Sequence, residues 1–253
     1  MGWGDEIIVT GQARALPNDG APVIVLDRLG RIRWHEAWRN HPRIVHLWDG
    51  RSPVHRIVNG PGLRPYIAEK YELRWGWKDY TCVPGEIHFT EGERIHRPPV
   101  TPDMIALEPN IKPRAPVNKD WGWERWQALA DMMRRVGLHP VQFGPVGTRT
   151  LRDVPLLITG SFRLACAGLA RCRAAVLPEG GLHHAAAALG VRAVVIYGGF
   201  ISPRQTGYTL HKNLFTGGDP CGHRVACPHC MKAMAAIEPE MVLRRLTEGI
   251  LNA

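Results

Sequence analysis

No uninterrupted apolar run in these 253 residues approaches the roughly 20 that cross a bilayer. The opening Gly2-Trp3-Gly4-Asp5-Glu6 has none of the basic-then-apolar order of a leader. No membrane span is therefore expected, and a soluble, cytoplasmic protein is. Cysteine is scarce: six residues at this length are too few for a disulfide scaffold, so most are expected as reduced thiols. Internal repeats and low-complexity tracts are lacking, which leaves an ordinary globular chain long enough for one large or two small domains. Acidic residues are in deficit, 23 against 32 lysines and arginines, and the resulting charge of +9 favours anionic partners: nucleotides, nucleic acid or acidic surfaces.

Tryptophan, in contrast, is plentiful and grouped, at Trp34 and Trp38, Trp75 and Trp77, and Trp121, Trp123 and Trp126. Core packing or stacking on sugars and bases both use such rings. Gly4 to Leu16 reads as a helix with Asp5 in its first turn. Pro22 or Val23 to Asp27 and Arg43 to Leu47 read as strands, with a helical turn at Trp34 to Trp38. Tyr66 to Tyr71 is expected as helix and Glu86 to Thr90 as extended chain. The proline-rich passage from Arg97 to Pro102 interrupts any regular element and suggests a boundary, with domains at 1–102 and 103–253.

Beyond it the alternation is cleaner. Strands are expected at Met104 to Leu107, Val141 to Phe143, Arg173 to Leu177 and Val191 to Tyr197. Helices are expected at Trp123 to Val136, Phe162 to Leu169, His184 to Leu189 and Pro239 to Leu251. Strands alternating with helices imply a mostly parallel sheet covered on both faces, with ligands beyond the carboxyl ends of its strands.

Four clusters fall at such ends. In Pro178 to Gly190, Gly180 and Gly181 leave the backbone open ahead of an alanine-rich helix whose first N–H groups have no internal partner, which is an anion site in outline. Glu179 can grip hydroxyls there, and His184 can donate to phosphate; the plainer reading is an ordinary crossover with a glycine turn. Asp5, with Thr10 behind it, is a helix cap or a functional carboxylate. Lys119, just ahead of the amphipathic helix, is a phosphate ligand or a solvated lysine. The loop from Gly198 to Tyr208 has the length of a ligand-covering segment.

Together these clusters resemble glycosyltransferase family nine, the heptosyltransferase-like enzymes. Gly4-Asp5-Glu6-Ile7-Ile8-Val9-Thr10 through Arg14 and Leu16 is similar to the family's N-terminal motif, and Lys119-Asp120-Trp121 to its Lys-x-Trp motif. Glu179 to Gly190 is similar, without a gap, to its Asp-Thr-Gly-x-x-His signature, and Cys230-Met231 with Ile237, Glu240 and Val242 to its tail. The resemblance implies a GT-B-like α/β fold of two Rossmann-like halves, the N-terminal one shortened. It also implies metal-independent, inverting transfer of a sugar from a nucleotide-diphosphate donor to an acceptor hydroxyl. Asp5 would be the general base, while Lys119, Glu179, Gly180, Gly181, His183 and His184 would bind the donor, with Thr10, Gly144, Gly207 and Tyr208 as loop contacts. Glu179 stands where the family has Asp and Gly180 where it has Thr, and the strand that precedes Gly4-Asp5 in the family is not expected here.

Cys221, Cys227 and Cys230 with His223 can form a structural zinc site; free thiols or a disulfide are the alternatives. Three functions remain open: a glycosyltransferase acting on a glycan or small-molecule acceptor, one acting on nucleic acid, and an inactive nucleotide- or nucleic-acid-binding relative. A homo-oligomer is compatible with each.

Overall fold

Short apolar runs and helices alternate through the second half and close into a sheet. The computed structural model describes residues 2–96, 98–111 and 115–252, so Arg97 of the proline-rich passage lies outside the described residues. The first half contains α1 (Trp3–Ala15), β1 (Val23–Leu26), β2 (Ile32–Arg33), β3 (His55–Val58), β4 (Ile67–Lys70), β5 (Trp75–Trp77) and α2 (Glu91–Ile95). There follow β6 (Met104–Leu107), α3 (Trp123–Arg135), β7 (His139–Gly144), β8 (Leu156–Ile158), α4 (Phe162–Leu169), β9 (Ala174–Pro178) and α5 (Gly181–Ala188). The chain continues through β10 (Ala193–Gly198), α6 (Pro203–Thr206), β11 (Lys212–Phe215), α7 (Pro228–Ala235) and α8 (Pro239–Leu246).

The main sheet has six strands in the order β11-β10-β9-β6-β7-β8, every neighbouring pair parallel. Counted from β6, that is the doubly wound order 3-2-1-4-5-6, whose direction reverses between β6 and β9. Its strands alternate strictly. Ile105, Leu107, Ala174, Val176, Val194 and Ile196 face one core with Trp126, Leu129 and Met133 of α3 and Val242 and Leu246 of α8. Ala106, Ala175, Leu177, Val195 and Tyr197 face another, with α5 and with Ile7 and Ile8 of α1. Both faces are therefore dry, as a parallel sheet requires. The indole N–H of fully buried Trp121 donates to Ile237 O at 2.7 Å. A donor left unpaired there would cost about 1–3 kcal/mol.

A smaller sheet, β2-β1-β3, mixes an antiparallel and a parallel pair, and β4 and β5 form a separate antiparallel ribbon. Between small sheet and large lies α1, buried continuously from Gly4 to Gly11. Its Val9 and Ala13 pack with Val23, Val25 and Trp38, and its Ile7 and Ile8 pack towards α5. A helix covered on all sides carries no polar stripe, which explains why Ile7-Ile8-Val9 is continuous.

Several expectations are corrected. Arg43 to Leu47 is not a strand: Ile44 alone bridges Val23, and the partner of β1 is β3. Arg43 instead donates to Ala13 O and Pro17 O, tying down the end of α1. Tyr66 to Tyr71 is not helical; Ile67–Lys70 is strand β4, because β5 supplies its partner and pairing outweighs local preference. The expected extended chain at Glu86 to Thr90 is not overturned: it holds no helix and joins no sheet among the described residues, and Thr90, itself extended, caps α2 through a reciprocal box with Glu93. Helix α5 starts at Gly181, three residues before the expected His184, and the closing helix leaves α geometry at Thr247 for a π turn, Thr247–Leu251.

Candidate functional site

Strand β9 is wholly buried and ends at Pro178; Glu179 follows, its backbone N–H on Ile196 O, with its side chain buried beyond the sheet. Gly180 is the N-cap of α5 in extended backbone, and a Cβ there would meet only Pro178 O, at 3.9 Å. Gly181 differs: its Cβ would lie 3.0 Å from the Phe162 ring and 3.6 Å from Trp3, so packing fills that face. The first N–H groups of α5 thus open beside Gly180, at the carboxyl end of β9, where the strand order reverses.

Lys119 reaches this point from a 3₁₀ turn, Val117–Lys119, and its ammonium is ion-paired with Glu179 Oε2 and lies 5.3 Å from the centre of the Phe200 ring. His184 Nε2 is 3.9 Å from the other Glu179 oxygen, and its Nδ1 is hydrogen-bonded to Tyr208 Oη at 2.7 Å. His183 is fully buried, with Nε2 3.3 Å from Tyr197 Oη.

Helix α1 meets α5 at its glycine. A Cβ on Gly4 would stand 2.4 Å from His184 Cδ2, so only glycine allows this approach. The next residue, Asp5, is 9% exposed and engages both carboxylate oxygens: Oδ1 accepts from Tyr66 Oη at 2.6 Å and lies 2.8 Å from Arg64 Nε, and Oδ2 accepts from Gly2 N at 3.0 Å. Burial alone would raise its pKa, but the Arg64 charge and the bonds from Tyr66 and Gly2 outweigh it and hold the carboxyl below 3.8. The Arg64 guanidinium lies over Trp75, 5.0 Å from its centre. Neither Arg64 nor Tyr66 sits in a spaced motif, and the sequence carried no signal for them beyond aromatic clustering.

The remaining candidates are distributed around this centre. Thr10 Oγ1 donates to Ile7 O and accepts from Glu86 N, fastening the 85–86 segment to α1. Gly144 ends β7, its bare face filled by Thr148, whose Cγ2 would be 2.6 Å from a Cβ. Gly207 closes α6, and with Tyr208 it lines a cavity of about 400 Å³ walled also by Tyr80, Cys82, Arg204 and His211. A second cavity, about 510 Å³, has Trp75, Trp77, Tyr71, Arg74 and Glu69 in its walls. The imidazole of His223 is not among the clustered ligand atoms: the residue's backbone N–H donates to Cys221 Sγ at 3.4 Å and its backbone bridges Arg74, while the imidazole beside the thiols is that of His229.

The histidines of this region are neutral. Burial lowers His184 to about 4 and His183 well below 6.5, and it lowers His211 and the more distant His41 to about 4. Each therefore binds fewer protons folded than unfolded below pH 6.5, so stability falls as pH drops from about 6.5 towards 4. Burial acts the other way on two carboxyls, raising Glu6 to about 7 and Glu108 to about 8. Urea midpoints are therefore expected to decline where the four rings outweigh them, between about pH 6.5 and 4; constant midpoints across that window would contradict the burial of these rings as neutral groups.

No family model and no curated protein matches the sequence. Solved structures do. A family 9 glycosyltransferase from Veillonella parvula superposes with a TM-score of 0.62 over 100% of this chain and 96% of that one, at 16% identity. The ADP-heptose heptosyltransferase II of E. coli gives 0.51 over 68% of this chain and 55% of its own, at 22% identity. The dodecameric, iron-containing heptosyltransferase TibC, solved with ADP-D-beta-D-heptose, gives 0.51 over 66% and 50%, at 12% identity. The matched region thus spans about half of the last two chains and nearly all of the first. With its parallel sheet ordered 3-2-1-4-5-6 and the Asp5 helix docked on α5, this chain has the heptosyltransferase-like fold of glycosyltransferase family nine.

Proposed function

We propose that the protein is a glycosyltransferase that moves a sugar from a nucleotide-diphosphate donor to an acceptor hydroxyl, with inversion and without a catalytic metal. The observation that carries this reading is the packing of Gly4 on His184, which puts the Asp5 carboxylate next to the turn that holds Lys119, Glu179 and the start of α5. In this reading the diphosphate lies between Lys119 and the free N–H groups of α5, where charge gathers as the leaving group departs. Glu179, released from Lys119 by the incoming phosphate, accepts hydroxyls of the donor. Asp5 takes the acceptor proton, and the tryptophan-walled cavity at Trp75 and Trp77 receives the acceptor. The carboxylate and lysine act without a Lewis acid, and attack from the face opposite the leaving group inverts the anomeric carbon.

A specific observation favours a second reading, nucleotide binding without turnover: three donors hold Asp5 below the usual carboxylate range, which weakens it as a base. Thermal shifts with ADP-, UDP-, GDP- and CMP-sugars decide first whether a donor binds, since saturation a hundredfold above Kd adds about 2.7 kcal/mol of stability. ADP-sugars come first because two structural neighbours are described with ADP-heptose. Lys119→Ala is expected to weaken the successful donor at least about tenfold, as befits loss of a charge-assisted hydrogen bond. Absence of any shift would sink both readings; binding without sugar transfer or donor hydrolysis would select the second.

A further inference from the structure

Three thiols and an imidazole converge in the segment between β11 and α7. Cys221 Sγ is 3.7 Å from Cys227 Sγ and 3.1 Å from Cys230 Sγ, His229 Nδ1 is 3.8 Å from Cys230 Sγ, and all four atoms lie within 4.8 Å of one another. Donors held at metal–sulfur and metal–nitrogen lengths of about 2.3 and 2.0 Å in tetrahedral array are themselves separated by roughly 3.5–3.8 Å. The Cys221–Cys227 and His229–Cys230 separations match that array, and the Cys221–Cys230 pair is tighter.

The imidazole is oriented for the role. His229 Nε2 lies 2.6 Å from the Gly217 carbonyl, so it carries the hydrogen and donates it, leaving the Nδ1 lone pair turned to the sulfurs. Cys227 is the N-cap of α7 and Pro228 its first residue, which places His229 and Cys230 together in the first turn. A Cys221–Cys230 disulfide would leave Cys227 and the oriented imidazole without a purpose. By the same test the His41, Glu86 and His88 group is no metal site: His41 Nδ1 accepts from Arg43 N and Ile44 N, so its Nε2 carries the hydrogen and has no lone pair to offer.

We infer that Cys221, Cys227, His229 and Cys230 form a closed tetrahedral site for one thiophilic divalent cation, with Zn²⁺ the ion that this three-sulfur, one-nitrogen set fits. Four protein ligands leave no position for a substrate, so the ion is structural. What it fastens follows from the hydrogen bonds around it. Asn118, adjacent to Lys119, donates to His223 O and Val225 O and accepts from Cys227 N. Cys221 N and Gly222 N donate to Gly199 O and Phe200 O, and Trp75 N donates to Gly222 O. Gly222, at φ +67°, permits that approach, since a Cβ there would be 1.9 Å from Trp75 O. The ion thus clips together the Lys119 turn, the Phe200 loop under its ammonium, and the tryptophan ribbon.

The test uses the full chain, purified under reducing conditions. About one zinc per chain, retained through dialysis, is expected, and Co²⁺ in its place should give the strong thiolate-to-metal absorption and visible bands of a tetrahedral site. His229→Ala should weaken zinc binding at least about tenfold, whereas His223→Ala should leave it unchanged. Chelation should hasten tryptic cleavage after exposed Arg224. Failure of the reduced chain to take up zinc, a weak octahedral cobalt spectrum, or equal zinc affinity in His229→Ala and the parent would overturn the assignment. So would an intact mass short by two hydrogens with no metal uptake after reduction. The unsubstituted chain's cobalt spectrum decides the matter even if a variant does not fold.

Discussion

Asp5→Asn is expected to slow sugar transfer by about 10²–10⁴-fold while donor affinity stays unchanged. The substitution keeps the shape of the side chain and can still accept from Tyr66, but it removes the carboxylate that takes the acceptor's proton in the proposed mechanism. Donor binding should survive because the proposed phosphate ligands belong to other elements, the Lys119 turn and α5. The pH dependence sharpens the expectation. With Arg64 and Tyr66 outweighing burial, Asp5 stays ionised down to below 3.8, so kcat/KM should show no acidic limb from this group above that value. Removing the guanidinium in Arg64→Ala takes away the largest opposing charge and leaves burial less opposed; an acidic limb should then move upward. Unaltered turnover in Asp5→Asn, measured with the donor identified by thermal shift, would remove Asp5 from the chemistry.

Arg163→Ala is expected to destabilise the fold by about 3–5 kcal/mol, the range for breaking a buried ion pair from one side. Arg163 is 1% exposed on α4. Its Nε and Nη2 donate to the two oxygens of Glu93 at 2.6 and 2.7 Å, and Nη2 also reaches His88 O at 2.6 Å. One side chain of the large sheet's helical layer thereby satisfies a carboxylate and a carbonyl of the first half. The hydrogen bonds from Arg163 depress the Glu93 pKa to about 2. A depressed carboxylate stabilises the folded state above its unfolded value of about 4.5, and that contribution is lost as pH falls from 4.5 towards 2. Urea titrations should therefore show a smaller acid loss in that window for the Arg163 variant than for the parent. Equal losses would mean that the pair contributes nothing.

What could be read from the sequence is what is encoded locally. β6, α3, α4 and β9 lie at or within a few residues of their expected places because each carries its own apolar period and its own stop, as with Gly137 at φ +77° after α3. The Glu179 to Gly190 stretch was legible because turn and helix are contiguous. The ribbon of β4 and β5, though local, was not, since glycine, proline and aromatic residues interrupt any period there. Nor was the pairing of β1 with β3, which a partner more than 30 residues away decides. Arg64 and Tyr66 were missed for the same reason: they reach Asp5 across some 60 residues, and no spacing announces it. Two errors had readable signals. Thr90 and Glu93 are a capping box in plain sequence, and Cys227-Pro228 marks a helix start that turns His229, rather than His223, to the thiols.

The close fit of Gly4 on His184 also imposes an order of events on synthesis. Helix α1 is made before α5, and the surface that covers one of its sides lies some 180 residues further along the chain. At ribosomal speeds of roughly 5–20 residues per second, the apolar run Ile7-Ile8-Val9 waits on the order of 10–40 s for its partner. Until α5 emerges, Val9 and Ala13 can pack with β1 while Ile7 and Ile8 stay uncovered, which exposes the nascent chain to aggregation.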